Sequence, residues 1–132
     1  MVMLDTDTCI YVLNNHSDKL RHKFKAIKNI CISAVTYGEL CFGIENGTHT
    51  KREDRWQQLD LFTQRLQIVP WDNDAAKYYG RIRAILKQQG MPMGDNDLLI
   101  SAHACSMDIV LVTNNIREFN RVPDLVVENW VG

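Results

Sequence analysis

Four times along this chain of 132 residues an acidic or amide side chain stands where a short apolar run gives way to a helix, or on the helix that follows. The segments are Met3-Leu4-Asp5-Thr6-Asp7, Thr36-Tyr37-Gly38-Glu39-Leu40, Gly94-Asp95-Asn96-Asp97 and Val112-Thr113-Asn114-Asn115. Strands that alternate with helices need crossover connections, and these build a parallel sheet covered by helices. In such a sheet the loops at the carboxyl ends of the strands converge on one crevice. Carboxylates distant in sequence can meet there and hold a hard divalent cation.

The periodicity predicts strands over 2–4, 30–32, 66–69 and 109–112, with Val126 and Val127 as a last edge strand. Between them the first helix starts at Thr6 and turns Ile10 and Leu13 inward. A basic amphipathic helix over 17–27, capped by Ser17, carries Leu20, Phe24 and Ile27 at helical spacing. Ser33 caps the next helix, whose apolar face is Val35, Leu40 and Ile44, and Gly47 ends it. Thr50 opens a polar helix with Trp56, Leu59, Phe62 and Leu66. Asp72 caps a helix over 75–88 that Gly90 closes, and a last helix spans 97–105. The expected fold is α/β, a three-layer α/β/α arrangement around a central, mostly parallel sheet, as one domain over 1–132.

A hydrophobic fraction of 45% and a charged fraction of 23% describe an ordinary globular protein. No apolar run approaches the roughly 20 residues of a membrane span, and no secretory leader is legible, so a soluble cytoplasmic protein without membrane contact is expected. Cys9, Cys31, Cys41 and Cys105 lie in apolar segments without zinc spacing and read as reduced core residues. A net charge of −1 gives no global attraction for a polyanion. Lys19, Arg21, Lys23, Lys25 and Lys28 nevertheless crowd one stretch, and Arg81, Arg83 and Lys87 form a second basic face. Such runs are ordinarily solvated helix surface; beside an acidic site they offer a track for phosphates.

Asp5 at a helix start can be an N-cap or a metal ligand. Glu39, inside an apolar segment, either faces solvent or has a cationic partner. Asp95 and Asp97 are close enough to repel unless one caps the helix and the other meets a cation; Asp95 is the better cap and Asp97 the better ligand. Thr113, Asn114 and Asn115 provide either oxygen and amide groups for the site or a simple Asx turn. His103 reads as a hydrogen-bonded, semi-buried histidine, and His16, His22 and His49 as surface residues. Trp56 and Trp71 read as packing anchors, and Trp130 as either a packing anchor or a base-stacking platform.

These residues resemble the PIN-domain ribonucleases, and within them the VapC toxins of bacterial toxin–antitoxin pairs. The resemblance runs over nearly the whole chain. It rests on the opening Met-Leu-Asp-Thr-Asp-Thr-Cys-Ile, Ile32-Ser33 leading to Glu39-Leu40 and Gly43, and the Gly90-Met91-Pro92-Met93-Gly94 loop before Asp97. It continues through Asn114-Asn115-Ile116-Arg117-Glu118-Phe119 and the closing Val127-Glu128-Asn129-Trp130. It implies a Mg2+- or Mn2+-dependent endoribonuclease with Asp5, Glu39 and Asp97 as the acidic core and metal ligands. Asn115 is the fourth member, and Thr6, Asp7, Asp95 and Thr113 stand in supporting positions. It further implies RNA as substrate, tRNA and the initiator tRNA above all, and a small VapB-like antitoxin as partner. The antitoxin lies along the groove of the helices over 17–27 and 50–66. A homodimer and a toxin–antitoxin hetero-oligomer follow, with DNA contacted only through the antitoxin. Two positions depart from the pattern: Asp7 replaces the usual Asn, adding a ligand or pairing with a basic residue, and Asn115 stands where many members carry an acid.

Two other classes compete. Asp5-Thr6-Asp7-Thr8-Cys9 nearly fits the opening of a haloacid-dehalogenase-like phosphatase, with Asp5 as phosphoryl acceptor and Asp7 as general acid, but Glu39 then has no task and Cys9 breaks the motif. A catalytically silent PIN-like binding module is the third reading, against which the intact acids speak.

Overall fold

The computed structural model describes residues 1–14 and 18–130. Strands β1 (Val2–Leu4), β2 (Ile30–Ser33), β3 (Gln67–Val69), β4 (Val110–Val112) and β5 (Val127–Glu128) form one sheet. Its order is β3-β2-β1-β4-β5, and every neighbouring pair is parallel. The helices are α1 (Thr6–Leu13), α2 (Asp18–Ala26), α3 (Ala34–Glu45), α4 (Arg52–Thr63), α5 (Asn73–Gln88), α6 (Asp95–Met107) and the short α7 (Ile116–Phe119).

Alternation along the strands assigns the two faces. Leu4, Ile30, Ile32 and Val112 enter a core with Cys9 and Val12 of α1, Leu20 and Phe24 of α2, Leu40 and Ile44 of α3, and Leu59 and Phe62 of α4. Met3, Cys31 and Leu111 point the other way, onto Ile100 and Ala104 of α6 and Phe119 of α7. Helix α5 covers the outer side of α6 through Ile82 and Leu86 against Leu98 and Ala102. The expected α/β/α layering is present, and so is the edge strand at Val127.

From β1 the chain moves outward through β2 to β3 and then returns to the opposite side of β1 for β4 and β5. The strand order therefore reverses between β1 and β4, which places the sheet's ligand crevice at their carboxyl ends. Asp5 follows β1 directly and Thr113 follows β4 directly. The Asp5 N–H donates to the Val112 carbonyl at 3.0 Å, so the two strand ends are locked together at the crevice.

Several local expectations hold. The Ser33 hydroxyl caps α3 by accepting from the Val35 N–H, and the Asp72 carboxylate caps α5 by accepting from the Ala75 N–H; each such cap contributes about 1 kcal/mol. Gly90 closes α5 with φ +66°, a conformation that favours glycine. Helix α3 stops at Glu45, Asn46 is its cap, and Gly47 follows as expected. The Ser17 cap and the position of His16 lie outside the described residues.

Other expectations are corrected. Helix α1 buries Thr8, Cys9 and Val12, whereas Ile10 is 39% exposed. Thr8 tolerates the core because its hydroxyl donates to the Val112 carbonyl at 3.2 Å. Thr50 sits in a 3-10 turn, His49–Lys51, that precedes α4. Helix α6 begins at Asp95 rather than Asp97, and its N-cap is Gly94.

Candidate functional site

The reversal point gathers acids from four elements. Asp5, 2% exposed, is the N-cap of α1: its Oδ1 accepts from the Thr8 N–H at 2.9 Å, and its carboxylate also accepts from the Thr113 hydroxyl. Burial raises its pKa, the charge of Asp7 adds to that, and the hydrogen bonds pull the other way. Asp5 is therefore both cap and crevice residue. The two readings of this position are compatible, because a carboxylate has more lone pairs than one N–H can occupy.

Glu39 projects from the second turn of α3, and the Thr6 hydroxyl donates to its Oε1 at 2.6 Å. Thr6 also lies 3.3 Å from the Thr36 hydroxyl, so the start of α1 and the start of α3 are joined by side chains alone. Asp97 lies in the first turn of α6, where the helix N-terminus favours negative charge. Its pKa is nonetheless pushed up to about 7, first by burial, then by the charge of Glu118, then by the charges of Asp5 and Asp7.

Glu118 is the site residue that sequence reasoning missed. It stands in the single turn of α7 and accepts from the Asn115 side-chain amide at 2.9 Å through Oε2, while its Oε1 is buried without a hydrogen-bond partner. Asn115, expected as the fourth member, thus reaches the cluster by holding Glu118. Its own N–H donates to the Thr113 hydroxyl at 2.9 Å, so the turn after β4 is a Thr turn rather than an Asx turn. A signal was available: Glu118 follows Asn115 by three residues and immediately precedes the buried Phe119, which is helical spacing for an inward-leaning acid.

Asp7 is exposed, and its charge acts on both Asp5 and Asp97. Asp95 is exposed, makes no side-chain cap, and faces a groove on the α5 side of α6. It is neither the expected helix cap nor among the charges that act on Asp97. Among the described residues no Lys, Arg or His forms an ion pair with Asp5, Asp7, Glu39, Asp97 or Glu118.

His103 is more deeply buried than expected, at 1% exposure, with Nδ1 2.8 Å from the Ser33 hydroxyl. Burial lowers its pKa and keeps the ring neutral. It binds α6 to the start of α3, each six residues from the acid that its helix carries.

The donors of the crevice are all oxygens, which suits a hard dication such as Mg2+ or Mn2+ better than zinc or copper. The orphaned Glu118 Oε1 and the raised Asp97 fit the same partner, since a cation would satisfy the one and ionise the other. The acids share a crevice without closing on a point: among the described residues no three His, Cys, Asp or Glu side chains stand within joint reach of one ion. Glu39 is drawn to Thr6 instead.

Residues 2–125 match the family model described as PIN domain. The chain belongs to the PIN domain family. This PIN domain is 41% identical over 131 residues to Ribonuclease VapC2 of Rickettsia felis, covering 97% of the chain and 96% of the relative. It is 39% identical over 129 residues to the tRNA(fMet)-specific endonuclease VapC of Salmonella typhimurium, covering 97% and 96%. A crystal structure of VapBC2 from Rickettsia felis bound to a fragment of promoter DNA aligns with a TM-score of 0.93 at 39% identity, over 98% of this PIN domain and 99% of that chain. The phosphatase reading of Asp5 and Asp7 finds no support in this assignment, and a buried Asp5 held by Thr8 and Thr113 is a poor phosphoryl acceptor. No helix among the described residues is long and apolar enough to cross a membrane.

Proposed function

We propose that this chain is the toxin of a VapBC-type toxin–antitoxin pair, an endoribonuclease that hydrolyses RNA phosphodiester bonds with Mg2+ or Mn2+. The observation that carries the reading is the cluster of Asp5, Asp97 and Glu118 at the sheet's reversal point, with Glu39 beside it and no cationic side chain among the described residues to neutralise it.

Asp5, Asp97, Glu39 and Glu118 are the residues that would hold the ion once drawn together onto it. A dication there would supply neutralisation of phosphate charge and acidification of a water for in-line displacement. The chain's own contribution is orientation. Thr8 and Thr113 fix the Asp5 carboxylate, Thr6 fixes one oxygen of Glu39, and Asn115 fixes one oxygen of Glu118. Asp97, its pKa pushed up to about 7 by burial and by Glu118, would have to give up its proton to serve as a ligand. Attack by water leaves a 5′-phosphate and a 3′-hydroxyl. The substrate proposed is tRNA, with the initiator tRNA foremost on the strength of the Salmonella relative's name.

The antitoxin's groove lies on the other face of α1. Two adjoining depressions share Leu13 and Gln58; their floor includes Val12, Leu40, Leu59 and Phe62, and Arg21, Lys25, Arg55 and Arg65 stand around them. Helices α2 and α4 both contribute, and the groove ends at Glu39. An amphipathic acidic segment fits this surface, and a basic side chain at its end would meet Glu39.

The test is incubation of total bacterial RNA with the purified chain and Mg2+ or Mn2+, against EDTA and Asp97→Asn, followed by mapping of fragment ends. Discrete metal-dependent fragments with 5′-phosphates, absent from the variant, are expected. Intact RNA after incubation with folded, metal-loaded chain sinks the proposal.

A further inference from the structure

A groove of about 650 Å³ runs between the C-terminal half of α5 and the loop 91–94, on the side of the crevice away from the antitoxin groove. Arg83 and Lys87 stand one turn apart on its α5 wall, both exposed, and neither forms an ion pair among the described residues. The Arg83 guanidinium is braced by the Tyr79 hydroxyl at 2.8 Å, so that its charge is held rather than trailing in solvent. The opposite wall is apolar: Met91 is 43% exposed, and Met93 and Leu98 continue the surface. Arg121 donates to the Pro92 carbonyl at 2.9 Å, which pins the loop and adds a cation beyond it.

Gly94, between the groove residues Met93 and Asp95, lies against the acidic crevice. A Cβ placed on Gly94 would stand 3.7 Å from Asp97 Oδ2, so the loop that walls the groove on one side touches the carboxylate cluster on the other. Unneutralised cations along a wall, facing an apolar surface and ending at a centre for phosphodiester cleavage, match the chemistry of an unpaired RNA strand. Its phosphates seek cations and its bases seek flat apolar contact.

We propose that this groove holds the RNA strand on one side of the cleaved phosphate, with Arg83 and Lys87 on the backbone and the Met91–Met93 surface against an unpaired base. The proposal rests on the endoribonuclease reading above. Asp95, exposed on the groove's rim, repels phosphate and keeps the strand on the α5 wall.

The experiment measures binding of a fluorescent single-stranded RNA to intact chain carrying Asp97→Asn, which blocks cleavage, over a series of salt concentrations. Adding Arg83→Ala with Lys87→Ala is expected to weaken binding about tenfold and to flatten the slope of log K against log salt by about 1.4, two phosphates' worth for a single strand. Lys77→Ala, an exposed cation on the same helix but outside the groove, leaves both unchanged. A double variant that binds like its parent overturns the proposal, and so does a parent that binds no RNA. If the double variant lowers the oligomeric state by light scattering and RNA affinity is untouched, the groove belongs to a second copy and the proposal also falls. Failure of the unmutated chain to cut RNA sinks the nuclease reading instead, a separate result from any change at Arg83 and Lys87.

Discussion

Glu118 of α7 is the charge that acts first on Asp97 of α6, and burial together with that charge pushes the Asp97 carboxyl up to about 7. Without a cation the crevice therefore still holds a proton at Asp97 near neutral pH.

That proton makes stability depend on pH. The folded pKa of Asp97, about 7, lies above its ordinary value of 3.8, so its stabilising effect is complete below 3.8 and is lost as pH rises through about 7. His103 acts oppositely: its pKa is lowered by burial, so its contribution is complete above 6.5 and lost as pH falls through the folded value. In EDTA, between pH 6.5 and 8, the chain is expected to melt lower at the higher pH. Asp97→Asn should raise the pH 8 melting temperature by about 3–5 °C and flatten the dependence. A variant that melts lower than its parent at pH 8 contradicts this account.

Mn2+ should stabilise the folded chain by about 2.7 kcal/mol at a hundredfold excess over its Kd. Glu118→Gln is expected to weaken that shift and Asp97→Asn to abolish it, read as thermal melts over a metal titration. Equal shifts in all three proteins would place the ion elsewhere.

Thr6→Val keeps the shape of the side chain and deletes the donor to Glu39. About a tenfold fall in kcat is expected, with stability altered by less than about 1 kcal/mol. Steady-state cleavage alongside a urea melt separates the two, and an unchanged kcat would leave Thr6 without a role in aligning Glu39.

Much of this was legible beforehand because short buried strands, helix caps and crevice acids all leave marks in the residue pattern. Asp5, Ser33 and Asp72 announced their caps, and Asp97 its crevice. Three things were hidden for separate reasons. The inner face of α1 includes a threonine, whose hydroxyl is satisfied only by the Val112 carbonyl from 104 residues away. In Asp95-Asn96-Asp97 either acid could begin a helix, and the choice is made by Gly94, whose carbonyl accepts from the Leu98 N–H. Glu118 lies in a four-residue helix too short for periodicity to register, so its role emerges only from its charge acting on Asp97.

Ser33→Ala removes both the cap of α3 and the partner of His103. A loss of about 2–3 kcal/mol is expected, more than the roughly 1 kcal/mol for Asp72→Ala, where a cap alone is lost. Denaturant midpoints compare them, and equal losses would show that the His103 contact adds nothing.

Asp108 closes α6 with φ 54°, a left-handed conformation that costs a residue with a Cβ about 1 kcal/mol. Asp108→Gly should therefore stabilise the chain by about 0.5–1 kcal/mol, visible as a higher denaturant midpoint. A lower midpoint would mean that the aspartate side chain contributes something its backbone does not reveal.

Because Asp5 is at once the cap of α1 and a member of the acid cluster, only a residue that still caps, such as Asn, separates function from folding there. A screen for inert yet intact forms of this protein would recover changes at Asp97 and Glu118 and would under-sample position 5, where silencing and collapse otherwise arrive together. Inactive alleles that still titrate their antitoxin should therefore map to the α6–α7 side of the crevice.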